Sequence, residues 1–168
     1  MPQGIVVMGV SGAGKSSVGH ALATQLGASF IDGDTLHPEA NVRKMASGVP
    51  LTDDDRWPWL HLVGTKLSTS SHGGTIVACS ALKRSYRDAI RAAAPDTKFI
   101  LLQADRPALQ DRLTQRPGHF MPASLLDSQL ETLEELQDDE SGLMIESAGG
   151  IDTTAERIRK LLEQPAAD

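Results

Sequence analysis

At 168 residues, with 40% hydrophobic and 23% charged side chains, the chain is long enough to bury one sizeable core. Sixteen Lys plus Arg against 22 Asp plus Glu give a formal charge of -6, which argues against an electrostatic grip on DNA or RNA. A single cysteine, Cys79, excludes an internal disulfide and a thiolate metal cluster, and no apolar run reaches the ~18 residues of a membrane span.

Met1-Pro2-Gln3-Gly4 carries no signal-peptide pattern, so a cytoplasmic protein is expected. Ile5-Val6-Val7-Met8 reads as a strand buried on both faces. Gly9 to Gly14 interrupts it, and helical spacing follows over 15–26, with Val18, Leu22 and Leu26 on one face. Phe30-Ile31 is a second strand, ending at Asp32-Gly33-Asp34. Pro38 opens a helix to about Ser47, with Gly48 past its end. Asp53-Asp54-Asp55 offers capping acceptors for a helix carrying Leu60, Leu62, Val63 and Leu67.

Ile76-Val77-Ala78-Cys79 reads as a third strand, with Cys79 a packed, inert thiol. A helix is predicted over 83–94, and Phe99-Ile100-Leu101-Leu102 forms the fourth strand. Asp105 caps the next helix, which carries Leu109, Arg112, Leu113 and Arg116. A proline-bounded break over 116–122 precedes a helix over 125–136. Leu143-Met144-Ile145 is a short fifth strand, and Asp152 or Thr153 caps a final helix. Strands spaced by helices predict right-handed crossovers and a parallel sheet sandwiched by helices in a single unit. The irregular, polar stretches near 34–55 and 116–124 suit a substrate-binding insertion and a lid.

Gly9-Val10-Ser11-Gly12-Ala13-Gly14-Lys15-Ser16 follows a strand and opens a helix, the context in which Gly-x4-Gly-Lys-Ser binds phosphate. Glycines let backbone N–H groups turn inward around phosphate oxygens, and the helix adds its positive end. Gly9, Ser11, Gly12, Ala13, Gly14, Lys15, Ser16 and Ser17 are therefore the nucleotide-binding residues. Lys15 is placed for the outer phosphates and the Ser16 hydroxyl for Mg²⁺, while Ser17 reads as a helix residue beside them. No Asn-Lys-x-Asp run for guanine is present, which favours ATP.

Ligands of open parallel sheets bind beyond the carboxyl ends of strands. Asp32 and Asp34 lie there, beside the phosphate loop if the first two strands are neighbours. Strand three ends in Cys79-Ser80 with no carboxylate, so the acid of the Mg²⁺ shell is assigned to Asp32. Asp34 is then available to orient or deprotonate an acceptor hydroxyl.

The chain resembles the gluconokinases of the shikimate-kinase-like and nucleoside-monophosphate-kinase-like group. The resemblance rests on Met8 to Gly12, Asp32-Gly33-Asp34, Leu36-His37-Pro38, Asn41, and 44–48. It continues through Asp53-Asp54-Asp55-Arg56, Pro58-Trp59-Leu60, 79–83, Tyr86-Arg87-Asp88, Arg112-Leu113, Gly118 to Met121 and 128–134. It implies a three-layer α/β/α P-loop kinase fold with a five-stranded parallel sheet, a substrate-binding helical segment at about 35–70 and a lid at about 116–124. It also implies transfer of phosphate from ATP to the 6-hydroxyl of D-gluconate, and a homodimer. Shikimate or another sugar acid as acceptor is the alternative, followed by a non-enzymatic nucleotide switch.

Gluconate needs a cation for its carboxylate and polar groups for its hydroxyls. Arg56 is assigned the carboxylate, as in shikimate-type kinases. His37, Ser80, Lys83 and Arg87 are assigned to the acceptor as well; Lys83 and Arg87 are one helical turn apart and can share a face. Arg43 and Lys44 are held in reserve. Arg112 is assigned to the base or α-phosphate and Arg116 to the transferring phosphoryl group when a lid closes. His119 joins the acceptor set on resemblance alone. Trp57 and Trp59 read as packing anchors, His20, His61 and His72 as surface residues, and Gln129 as part of a helix surface.

Overall fold

The computed structural model describes residues 2–69, 73–115 and 123–165. In chain order these form β1 (Gly4–Met8), α1 (Lys15–Leu26), β2 (Ser29–Asp32), a 3-10 turn (Gly33–Leu36), α2 (Glu39–Ala46) and α3 (Asp53–Ser68). β3 (Thr75–Ala78), α4 (Arg84–Ala93), β4 (Lys98–Gln103), α5 (Arg106–Thr114), α6 (Ala123–Thr132), β5 (Gly142–Glu146) and α7 (Ile151–Glu163) follow. The strands make one parallel sheet in the order β2-β3-β1-β4-β5.

β1 is central, and its side chains divide by period two. Ile5 and Val7 join Val18, Leu22, Ile100, Ile158 and Leu162 in one apolar cluster. Val6 and Met8 join Leu60, Val63, Tyr86, Ile90, Phe99 and Leu101 in the other. Two cores on opposite faces of one sheet explain why β1 has no polar residue at all. They also establish the three-layer arrangement predicted from the alternation of strands and helices.

The sheet order corrects one expectation. β2 does not neighbour β1, because β3 lies between them, in register at Val6↔Val77 and Ile31↔Val77. Asp32 and Asp34 still end beside the phosphate loop, one strand removed. Gly33 allows the close approach: a Cβ there would meet the Ala78 carbonyl at 2.5 Å.

Helix ends differ from expectation in three places. Thr52, rather than an aspartate, caps α3: its hydroxyl accepts from Asp55 N, and Asp55 Oδ2 accepts from Thr52 N at 2.9 Å. Gly150, rather than Asp152 or Thr153, is the cap of α7. α6 stops at Thr132 instead of running to 136. Beyond it the chain is drawn off the helix axis, because Glu134 N donates to Leu82 O at 2.7 Å and Leu133 and Leu136 pack on the second core.

Candidate active site

The phosphate loop joins β1 to α1. Gly14 takes the left-handed conformation (φ 93°) that lets α1 start directly behind it. Gly9 N donates to Ser80 O at 3.3 Å, tying the loop to the end of β3. Lys15 Nζ donates to Val10 O at 3.1 Å, so the ammonium lies across the loop. Ser11 N donates to the side-chain oxygen of Gln129 at 2.8 Å, across 118 residues. Gln129 therefore faces the phosphate loop, which corrects its reading as helix surface.

Arg112 braces the same loop. Its Nη1 donates to Gly12 O and Ala13 O, both at 3.3 Å, and to Ser147 Oγ at 3.0 Å. Its Nη2 donates to Ser147 O at 2.6 Å. Beside it lies a cavity of about 260 Å³ lined by Gly12, Ala13, Gly14, Ser17, Arg112, Ser147, Gly149 and Thr154, among others. Ser17 thus lines a cavity as well as belonging to a helix. Ser147, Gly149 and Thr154 were not foreseen, because the sequence around β5 carries no recognisable motif.

Asp32 Oδ1 accepts from Asp34 N at 3.0 Å, and Thr35 Oγ1 donates to Asp32 O at 2.6 Å. The turn so formed holds both carboxylates past the end of β2. Cys79 is fully buried at the end of β3, and burial pushes its thiol up to about 12. Lys15, Asp34 and Asp32 all act on it electrostatically, so the three charges share this end of the sheet.

The residues expected to hold an acceptor come from the 3-10 turn with its cap, from α3 and from the β3–α4 loop. Arg56 and Lys83 converge on Asp53, at 3.5 Å and 3.7 Å, and both lie over the Tyr86 ring at 5.4 Å and 5.5 Å. The Tyr86 hydroxyl donates to Asp53 at 2.6 Å. That bond, then the charges of Lys83 and Arg56, hold the Asp53 carboxyl below its usual range, while burial and then Asp53 push Tyr86 up to about 12. Two cations and one protein carboxylate leave a net positive charge there. Lys44, held in reserve, is bound to Asp55 at 2.6 Å, a bond that holds Asp55 down to about 2; Arg43 is exposed.

His37 stacks on Trp59 with centroids 4.1 Å apart and planes 19° from parallel. Trp59 is buried, and its Nε1 donates to Gly33 O at 2.8 Å, so it anchors His37 and the Asp32–Asp34 turn together. Asn41 Nδ2 lies 3.2 Å from His37 Nδ1 and 2.9 Å from Asp55 O. Burial lowers the His37 pKa, Asp34 opposes the shift and Arg56 adds to it.

Arg87 is a correction. It is fully buried, with Nε and Nη2 on the Glu140 carboxylate at 2.7 Å and 2.9 Å. Nη1 donates to Ala81 O at 3.0 Å and Leu82 O at 3.3 Å, and Nη2 to Glu135 O at 3.3 Å. A guanidinium in this setting must be paired, and it has nothing left for a substrate. The shared face with Lys83 fails because α4 begins at Arg84, so Lys83 lies outside the helix. Arg87 instead shapes the loop that presents Ser80 and Lys83, in which Ala81 is held at φ 44°. Arg116, His119 and His72 lie outside the described residues.

This arrangement has close relatives. A domain family described as "AAA domain" matches residues 5–136. The chain is 48% identical over 159 residues to the gluconokinase of Gluconobacter oxydans, covering 94% of this chain and 89% of that one. It is 43% identical over 162 residues to the thermoresistant gluconokinase of Escherichia coli, covering 92% and 93%. The crystal structure of a gluconokinase from Sinorhizobium meliloti superposes with a TM-score of 0.85 at 48% identity, covering 96% of this chain and 92% of that chain. At these identities over nearly the whole of both chains, the chain belongs to the gluconokinase family.

Proposed function

We propose that the chain transfers the γ-phosphoryl group of ATP to the 6-hydroxyl of D-gluconate, giving 6-phospho-D-gluconate and ADP. The observation that carries the acceptor is the convergence of Arg56 and Lys83 from two distant elements. A sugar acid offers one carboxylate for those cations and a chain of hydroxyls to span toward Asp34. Family membership supplies the identity of the acid.

The chemistry follows from positioning and charge. The phosphate-loop N–H groups hold the phosphates and Lys15 neutralises the outer ones. Arg112 keeps the loop in shape and, with Ser17 and the residues after β5, encloses the base. Asp34 accepts the proton of the 6-hydroxyl as its oxygen bonds to the γ-phosphorus and the bond to the β-phosphate oxygen breaks. Ser80, Lys83, Arg56 and His37 hold the acceptor. Arg116 and His119 keep their expected roles, toward the γ-phosphate and the acceptor, on resemblance alone.

Mg²⁺ fits the residues present. Asp32 uses one oxygen in its turn, and its second oxygen with the Ser16 hydroxyl offers the hard donors this ion prefers. Among the described residues no group of three or more His, Cys, Asp or Glu gathers as a cage, which suits an ion that keeps waters and phosphate oxygens. When bound, Mg²⁺ would supply positive charge that offsets the negative charge of the nucleotide phosphates.

A homodimer in the cytoplasm is part of this proposal; no described helix is long and apolar enough to cross a membrane. The test is ADP release with gluconate, shikimate, nucleoside monophosphates and adenylyl sulfate offered in parallel. Gluconate should be turned over far faster than the others. ADP release that ignores gluconate would sink the proposal.

A further inference from the structure

The hydrogen bonds around His37 constrain its protons. The Asp55 carbonyl can only accept, so the Asn41 atom 2.9 Å from it is the amide nitrogen. That NH₂ group can only donate, and its second proton faces His37 Nδ1 at 3.2 Å. Nδ1 must therefore present a lone pair, and the neutral ring carries its proton on Nε2. An imidazolium would set two donors against each other. Burial of Asn41 and the stack on Trp59 keep this geometry in place.

The charged groups facing the ring are Asp34 from the 3-10 turn and Arg56 from α3. Asp55 of α3 is engaged by Lys44 of α2. His37 thus sits between the carboxylate assigned to the acceptor hydroxyl and a cation assigned to the acceptor carboxylate. We propose that Asn41 is a positioning residue that fixes His37 as the Nε2–H tautomer, and that His37 serves the acceptor as a neutral hydrogen-bond donor to a hydroxyl oxygen. The acceptor half of this statement rests on the gluconate reading; the tautomer half does not.

One consequence is a sense of pH dependence. Protonation of His37 breaks the Asn41 bond and adds a second positive charge beside Arg56. The acceptor KM should rise as pH falls through the His37 titration, which desolvation places below the ordinary histidine value.

The experiment combines nitrogen-15 NMR of the histidine rings with steady-state kinetics. In the wild type at pH 7.5, His37 should show an unprotonated Nδ1 and a protonated Nε2. Asn41→Asp puts an acceptor opposite Nδ1. It should raise the ring titration and move the acidic limb of kcat/KM for gluconate upward by about one pH unit or more, with the ATP KM unchanged. Asn41 is buried, so His37→Gln and His37→Ala provide a second route. Both should abolish that acidic limb, and His37→Ala should raise the gluconate KM roughly five- to tenfold, more than His37→Gln, which keeps an N–H donor. A proton on Nδ1 in the wild type, or a ring titration that Asn41→Asp leaves in place, overturns the positioning role. A shifted titration with an unmoved gluconate KM, or an acidic limb that persists in His37→Gln, overturns the donor role. A wild type with the Nε2–H tautomer that turns over no gluconate overturns the gluconate reading and the donor role with it, leaving the Asn41 positioning standing.

Discussion

The phosphate loop and the acceptor side lie at the carboxyl end of the same sheet, yet they are assembled from different materials. The loop is eight consecutive residues whose backbone N–H groups are the proposed binding surface, braced from outside by Arg112 and Gln129. The proposed acceptor side uses side chains of Asp34, His37, Arg56 and Lys83, drawn from three separate segments: the 3-10 turn with its cap, α3 and the β3–α4 loop. Two of these depend on partners behind them: Trp59 and Asn41 behind His37, and Arg87 with Glu140 behind the Lys83 loop. A backbone site is fixed mainly by local chain geometry, with few outside braces, whereas a side-chain site is only as accurate as its packing. The two should therefore fail in different ways.

The largest expected effect breaks the loop half. Lys15→Ala should lower kcat by roughly 10³-fold or more, because it removes the cation proposed to neutralise the outer phosphates. The loss should be the same for every acceptor, measured by ADP release. Loss confined to one acceptor would mean that the two halves are not separable.

Asp34→Asn breaks the other half. If Asp34 takes the hydroxyl proton as proposed, its removal should cost about 10²–10⁴ in kcat. ATP affinity, followed by nucleotide titration, should hardly change. Near-normal turnover would remove Asp34 from the mechanism.

The buried pair behind the acceptor side gives an effect on stability first. Glu140→Gln leaves Arg87 enclosed without its counter-charge, a defect of about 3–5 kcal/mol in thermal or denaturant unfolding. Where the variant folds, the gluconate KM should rise while the ATP KM holds, because Arg87 sets the Ala81–Leu82 carbonyls and not the phosphate loop. The pH dependence has a definite sign. Contacts with Arg87, Gln137 N and Arg91 overcome burial and hold the Glu140 carboxyl at about 2, below its ordinary 4.5. Its contribution is fully present above about pH 4.5 and is lost as pH falls toward about 2. Wild-type acid unfolding should show this loss and Glu140→Gln should not.

The same contrast explains what could be read from the sequence. The phosphate loop is contiguous and its context is local, so it was legible in full, as were all five strands. Arg56 and Lys83 could be picked out as residue types that an acidic acceptor requires, but their meeting at Asp53 and Tyr86 could not, because it joins segments about 30 residues apart. Arg87 was not, because its burial is decided by Glu140, 53 residues away in a stretch with no periodic pattern. Gln129 looked like an exposed helix residue because its partner, Ser11, is 118 residues distant. Asn41 lies one helical turn beyond His37 and was within reach of a local reading, but its bond to Asp55 O required the fold.

Cys79 tests the comparison where the smallest effect is expected. It lies between the two halves, buried, with Lys15, Asp32 and Asp34 all acting on it, a position that invites a catalytic reading. Its chemistry argues otherwise. A thiol pushed up to about 12 is fully protonated at neutral pH, and burial denies reagents access to it. Cys79→Ser should therefore keep kcat and both KM values within about threefold, at a stability cost of about 1–3 kcal/mol if its hydroxyl finds no partner in the core. Iodoacetamide should leave the native protein unmodified at pH 8 and label it only after unfolding. Rapid alkylation of the native chain, protected by ATP, would place a reactive group between the halves and overturn the reading of Cys79 as an inert core thiol.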